Sequence, residues 1–398
     1  MSQVGLLNAK AAFGGALLVT GCCIGAGMIG LPVVSALAGF MPSTVAMFLC
    51  YVFTTLTGLL LLEATLWFDT KVNLPSIVES TLGKVGKAIT LALFLFLFYC
   101  LFVAYLDGGG LLFADMLASL LHHPVSRQVG VLACVSFVSA VTYVGTKLVD
   151  GLNRALLFGL IVSYLVMVFI GFPNVQNASL AYSNWDAAMA TVPILLICFG
   201  YQNIVPSLTY YLEKNVKALR IAIIVGNLIP FFIYVLWNYV ILGMLPVAHA
   251  VSAGEVDMVT QLLHGAMPNA PVVFFIKAFS LFAILTSFLP NAISFVDFLK
   301  DGFKKTFHRE QKNELVVYGL IFIPPSICTL LYPHLFLEAL NFAGGFIDVL
   351  LYGVLPALVI LVGRNIKKMT GPYRVIGGNV TPMIILILSA FVLIFKVS

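Results

Sequence analysis

Long apolar runs separated by short polar joints constrain this chain before any motif does. Eleven are legible, at 11–39, 43–68, 88–120, 127–145, 155–172, 187–211, 221–246, 271–298, 315–332, 336–362 and 380–397. Each comes close to the ~20 residues that an α-helix needs to cross a bilayer. In lipid, every backbone polar group must be satisfied internally, so only helices or a closed barrel can span. A barrel strand alternates apolar and polar residues over about ten positions, and these runs do not alternate. Composition agrees: 61% of the 398 residues are hydrophobic and 9% charged, against about 25% charged in soluble domains. A soluble enzyme, a nucleic-acid binder and a disordered chain are thereby excluded. The expected fold is an all-α polytopic membrane protein with about 11 transmembrane helices, the whole of 1–398 forming one membrane domain.

The few charges orient it. Eighteen of the 21 basic residues fall on one side if the N-terminus is cytoplasmic: Lys10, Lys71, Lys84, Lys87, Lys147, Arg154, Lys214, Lys217, Arg220, Lys300, Lys304, Lys305, Arg309, Lys312, Arg364, Lys367, Lys368 and Arg374. Arg127 and Lys396 fall outside, and Lys277 lies within a span. The positive-inside rule then puts the N-terminus in the cytoplasm and the C-terminus across the membrane. Seven cysteines, mostly in apolar runs, form neither a disulfide framework nor a metal motif. Five of the six histidines, His122, His123, His249, His264 and His334, lie in or beside external joints without metal spacing, so no metal and no cofactor is expected. The N-terminus has no basic leader region ahead of its first apolar run, which is read as a retained span.

Two spans are interrupted in mid-membrane. The first contains TGCCIGAGMIGLP, from Thr20 to Pro32. Gly25-Ala26-Gly27-Met28-Ile29-Gly30 matches the dinucleotide-loop pattern in form, but the strand that pattern requires is missing. Glycine costs about 1 kcal/mol and proline about 3 in a helix interior, so the cluster argues for unwinding. The sixth span carries CFGYQNIVP, Cys198 to Pro206. Each is the first span of a set of five, and paired breaks in corresponding positions of two halves point to a transporter site at an inverted-repeat interface. Repeat one is read at about 11–172, repeat two at about 187–362, and 380–397 as an extra helix. Free N–H groups at one broken end suit a carboxylate, and free carbonyls at the other suit an ammonium or a cation. A zwitterionic amino acid fits both. Cys23, Ile24, Gly25, Ala26, Gly27, Phe199, Gly200, Tyr201 and Gln202 are the expected substrate-binding residues.

Taken together, these segments resemble the bacterial aromatic amino acid permeases, the tyrosine- and tryptophan-specific carriers of the amino acid–polyamine–organocation superfamily. The matching pieces are TGCCIGAGMIGLP, VAYLDGGG from Val103, FGYQNIVPS from Phe199, LTSFL from Leu285, VDFL from Val296, PPSICTLLYP from Pro324 and PYRVIGG from Pro372. The resemblance implies a LeuT-like five-plus-five fold with helices 1 and 6 broken. It also implies uptake of tyrosine or tryptophan across the bacterial inner membrane by proton symport, with a periplasmic C-terminus. Helix 1 has Cys22-Cys23 where hydroxyl residues are expected, so the resemblance fixes the family better than the substrate.

Other polar residues in the spans keep two readings each. Tyr105, like Tyr99, is either an aromatic gate reaching the ligand or a packed tyrosine. Thr286 and Ser287 either serve a coupling ion, in a region resembling the sodium site of LeuT-like proteins, or bond back to their own helix. Asp348 lies about 18 Å into the tenth span at 1.5 Å per residue, where a carboxylate suggests proton carriage. Glu63, Asp107, Asp115 and Glu338 are read as interfacial, and Lys277 as snorkelling outward. A sodium-coupled or broader neutral amino acid transporter is the alternative. A channel is remoter, because the two breaks are unlike segments and make no ring. No P-loop accompanies Gly83-Lys84 or Gly86-Lys87, and no cluster of catalytic ligands marks an enzyme.

Overall fold

The computed structural model describes residues 3–244, 270–307 and 314–397; His249, His264, Arg309 and Lys312 lie outside the described residues. Among the described residues, thirteen helices of seven residues or more follow one another: α1 (Gln3–Cys23), α2 (Gly27–Ala38), α3 (Phe40–Thr65), α4 (Leu74–Leu121), α5 (Arg127–Val144), α6 (Thr146–Gly171), α7 (Val192–Cys198), α8 (Val205–Tyr211), α9 (Val216–Met244), α10 (Ala270–Phe307), α11 (Glu314–Leu331), α12 (Phe336–Asn365) and α13 (Val380–Val397). No strand occurs among the described residues. Among the described residues, nine spans are long and apolar enough to cross a membrane, and α1 with α2, bent by 63°, makes a tenth. The last expected span falls on α13, whose apolar stretch Val380–Phe395 is shorter.

Both expected breaks are present. In the first, the Ile24 N–H closes on the Thr20 carbonyl (3.1 Å), and bonding resumes as tight turns from Met28 to Gly25 (3.0 Å) and Ile29 to Ala26 (3.1 Å). In the second, α7 ends at Cys198, Phe199–Tyr201 leave the helix, and a 3₁₀ turn over Gln202–Ile204 leads into α8. Pro193 and Pro206 sit in the first turns of α7 and α8, where the missing N–H has no intrahelical partner to lose. α2 packs on α7, while α3, α9 and α12 close around the two broken helices. Lipid faces the remaining surface. On α6, Phe158, Leu165 and Phe169 are spaced seven and four apart, one helical stripe, and are 70%, 58% and 82% exposed.

The structure departs from the sequence reading in three places. The third span is preceded by a further helical turn, because Asn73 caps the start through the Ser76 N–H (3.1 Å) and Gly83, at φ 78°, turns the chain into the long helix. Residues Ala343–Val354 of α12 wind as a π-helix, a rare form that concentrates at functional sites. Glu63 and Asp107, read as interfacial, are both buried in ion pairs. Arg364 grips Glu63 through Nε (2.7 Å) and Nη2 (2.5 Å), and Glu63 also accepts the Val375 N–H (2.7 Å). Arg127 pairs with Asp107, which accepts the Phe336 N–H (3.0 Å), while Arg127 also donates to the Thr329 carbonyl (3.0 Å). Each pair thus fastens a loop to the bundle, at opposite ends of it. Lys277 reaches Asp115 (2.7 Å) and remains 40% exposed.

Candidate functional site

The two breaks face each other. A β-carbon built on Gly27 would lie 2.8 Å from the Cys198 Sγ, and one on Gly25 would overlap the Ser287 hydroxyl. Ordinary side chains at either glycine would separate the elements. Between the bends, the N–H groups of Gly25, Ala26 and Gly27 leave the α1 ladder, and that of Ala26 donates to Ser287 Oγ (3.1 Å). Ser287 therefore serves the broken helix, whereas its neighbour Thr286 bonds back to the Phe282 carbonyl (2.7 Å). Rotation by one residue on α10 separates the two hydroxyls' roles.

Asp348 comes from the π-helical stretch of α12. Its Oδ2 lies 3.7 Å from where a Gly200 β-carbon would stand, and its Oδ1 is buried without a hydrogen-bond partner. Gln202 donates to Thr57 Oγ1 (3.2 Å), and its Oε1 is likewise buried and unpartnered. Two acceptors without donors therefore flank the break in the sixth span. A buried acceptor left unpaired is costly, so both suit a ligand's donor, and the carboxylate also suits a proton. Tyr105 is buried beside Phe288 (ring centroids 5.4 Å apart), and Asn291 donates to its hydroxyl (3.4 Å).

Phe199 is fully buried, its ring centroid 5.3 Å from that of Tyr234 in a T-shaped contact. The Tyr201 side chain turns instead to α3: its hydroxyl donates to the Thr54 carbonyl (2.9 Å), against Gly58. Cys23 ends α1, with its thiol 3.9 Å from Asn227 Oδ1, and Ile24 is half-buried in the bend. Tyr99 bonds the Leu320 carbonyl (2.9 Å), a packing role. The candidate residues thus converge, except that Tyr201 and Thr286 spend their hydroxyls on other partners.

Sequence reasoning missed the residues that α9 supplies. Asn227 donates to Thr54 Oγ1 (3.0 Å) and Thr55 Oγ1 (2.9 Å); Tyr234 donates toward the Cys23 (2.6 Å) and Cys198 (3.0 Å) carbonyls; Trp237 donates to the Met28 carbonyl (3.2 Å). Asn238 donates to Ser35 Oγ (2.6 Å). Positions 227, 234 and 238 share one helical face by their spacing of seven and four. That polar stripe in an apolar span was the available signal.

The tryptophan/tyrosine permease family model matches residues 8–396. The chain belongs to this family. Among similar permeases and their relatives, tyrosine-specific transport system 1 of Haemophilus influenzae is 31% identical over 95% of this chain and 94% of that protein. The tryptophan-specific transport protein of Shigella flexneri is 30% identical over 94% and 91%. Glutamine transporter 2 of Aliivibrio fischeri is 30% identical over 83% and 84%. A solved manganese transporter of Eremococcus coleocola, in complex with an aromatic bis-isothiourea compound, superposes with a TM-score of 0.66 at 14% identity, covering 100% of this chain and 87% of that one. The permease accordingly has the LeuT-like fold and is a multi-span membrane protein of a transporter family.

Proposed function

We propose that this permease is a secondary active transporter that imports tyrosine, tryptophan or both by proton symport across the bacterial inner membrane. In this reading the N-terminus is cytoplasmic, the C-terminus periplasmic, and residues 11–172 and 187–362 form the inverted repeats. The observation that carries it is the meeting of the two breaks beside Asp348. The free N–H groups of Gly25 and Gly27, on either side of the Ala26 N–H that Ser287 takes, suit a carboxylate, while the C-terminal carbonyls of α1 and α7 suit an ammonium. Cys23 to Gly27, Phe199 to Gln202 and Tyr105 surround the substrate, with aromatic rings from Phe199 and Tyr105 for its side chain. Asp348 carries the proton, as an intramembrane carboxylate whose Oδ1 has no protein donor.

Sodium coupling with broader neutral specificity is the second reading. Ser287 supports it, because its hydroxyl meets the helix 1 break, and so does the glutamine transporter among the relatives. Competition of labelled tyrosine uptake by the twenty amino acids tests both, with sodium replaced or the proton gradient collapsed. Uptake that survives proton-gradient collapse and fails without sodium refutes the proton reading. Stronger competition by glutamine than by either tyrosine or tryptophan refutes the aromatic one.

A further inference from the structure

The connection from α12 to α13 folds back over the end of α3 and encloses a cavity of about 380 Å³. The Trp67 indole forms one wall, and β-carbons built on Gly363 and Gly371 would crowd it, so the chain lies close against the ring. Glu63, the acidic residue of the lining, is spent on Arg364 and the Val375 N–H. Arg364 is spent in turn on Glu63, the Gly378 carbonyl and Asn379 Oδ1. Lys368 and Arg374 also line the cavity; both are exposed, and neither has an ion-pair or hydrogen-bond partner among the described residues. Their charge is therefore uncompensated. Lys368 follows α12 in the left-handed conformation (φ 53°) that glycine ordinarily takes after a helix, so a lysine stands there against backbone preference. Tyr373, in the same lining, carries the Arg220 guanidinium over its ring at 5.6 Å, which brings a further positive charge beside the cavity.

The loop is not purely polar. Ile366 and Ile376 bound it, 70% and 80% exposed. Aliphatic side chains this open beside uncompensated cations fit the layer where headgroups and acyl chains meet, and indole rings favour the same layer. A soluble anion would satisfy the cations but leave both isoleucines in water. We infer that the cavity binds the phosphodiester headgroup of an anionic phospholipid, with Lys368 and Arg374 on the phosphate. Basic pockets between membrane helices take such headgroups, and a guanidinium meets phosphate through parallel N–H donors. The orientation proposed above puts the site in the cytoplasmic leaflet; the headgroup chemistry does not depend on it.

The test reconstitutes the full chain in phosphatidylcholine nanodiscs with stepped fractions of phosphatidylglycerol, and native mass spectrometry counts the lipids retained. The native protein should keep phosphatidylglycerol in preference to phosphatidylcholine. Lys368→Gln and Arg374→Gln should each lower that preference about fivefold, the worth of one basic residue at an anionic surface. Lys84→Gln with Lys147→Gln, two lysines outside the lining, should change it less than about twofold, since solvent screens charges at a distance. An equal fall in this pair marks diffuse surface attraction and overturns the site, as does no preference in the native protein or no change on losing Lys368 and Arg374. Amine acylation of the native protein gives a readout that needs no variant: phosphatidylglycerol should slow reaction at Lys368 relative to Lys84 and Lys147, and an unprotected Lys368 overturns the inference. Equal protection by inorganic phosphate in pure phosphatidylcholine discs assigns the cavity to a soluble anion and overturns the lipid. Labelling of Lys367→Cys by an impermeant maleimide in spheroplasts, in a background free of the other cysteines, refutes the proposed orientation and leaves the headgroup test intact, because both leaflets of the disc hold the lipid.

Discussion

Replacing Gly25 with alanine should impair uptake through one atom. The added methyl overlaps Ser287 Oγ, the acceptor of the Ala26 N–H, yet stands 3.5 Å from the Ser287 β-carbon, an ordinary contact. Overpacking costs about 1–3 kcal/mol, and displacing the hydroxyl from the Ala26 N–H adds about 1 kcal/mol. A penalty near 3 kcal/mol, felt where α1–α2 and α10 meet, corresponds to about two orders of magnitude in apparent affinity. Ser287→Ala alone strands the N–H at a cost of about 1–3 kcal/mol. In that background the Gly25 methyl meets only a β-carbon, so the second substitution should add little. A double-mutant cycle on the KM of labelled uptake, with membrane abundance measured by immunoblot, should show a coupling of about 2 kcal/mol. Additivity within about 0.5 kcal/mol, the behaviour of independent sites, refutes the contact. So does Gly25→Ala with native KM.

Other outcomes follow from the remaining contacts. Asp348→Asn should abolish accumulation against a gradient while sparing exchange of labelled for unlabelled substrate across proteoliposomes; native accumulation removes Asp348 from the coupling. Glu63→Ala leaves the buried Arg364 unpaired and should cost about 3–5 kcal/mol, read as a lower midpoint of thermal unfolding in detergent; an unchanged midpoint counts against the pair. Gly344→Ala drives a methyl into the Pro193 carbonyl, a backbone atom that cannot yield, so the variant should be lost from the membrane fraction. A membrane-permeant thiol reagent should block uptake through Cys23 or Cys198, with substrate protecting; in a background free of the other cysteines, absent protection argues against both positions.

The glycine and proline clusters made the two broken helices legible, because such residues are expensive in a helix that lipid surrounds. Asp348 was legible by depth alone. That it meets Gly200 depends on the π-helical winding of Ala343–Val354, which changes the face a residue presents and leaves no periodic trace. Thr286 and Ser287 looked equivalent, and only the rotation of α10 against α1–α2 distinguishes them. The partners of Glu63 and Asp107 were hidden for another reason: Arg364 is 301 residues from Glu63, and nothing local in either segment names the other. Tyr234 reads as an ordinary packed aromatic until the ends of α1 and α7 are seen to converge on its oxygen.

The two loop-fastening ion pairs also bear on the surroundings in which the permease works. Dissolved salt weakens attraction between exposed charges but scarcely reaches buried ones. The side chains of Asp107 and Arg127 are 2% and 15% exposed, and those of Glu63 and Arg364 2% and 6%. The Lys277–Asp115 pair, at 40% and 52%, will loosen in brine; the two fastenings will not. Salinity, which a single cell cannot choose, therefore leaves both fastenings as firm as in dilute medium.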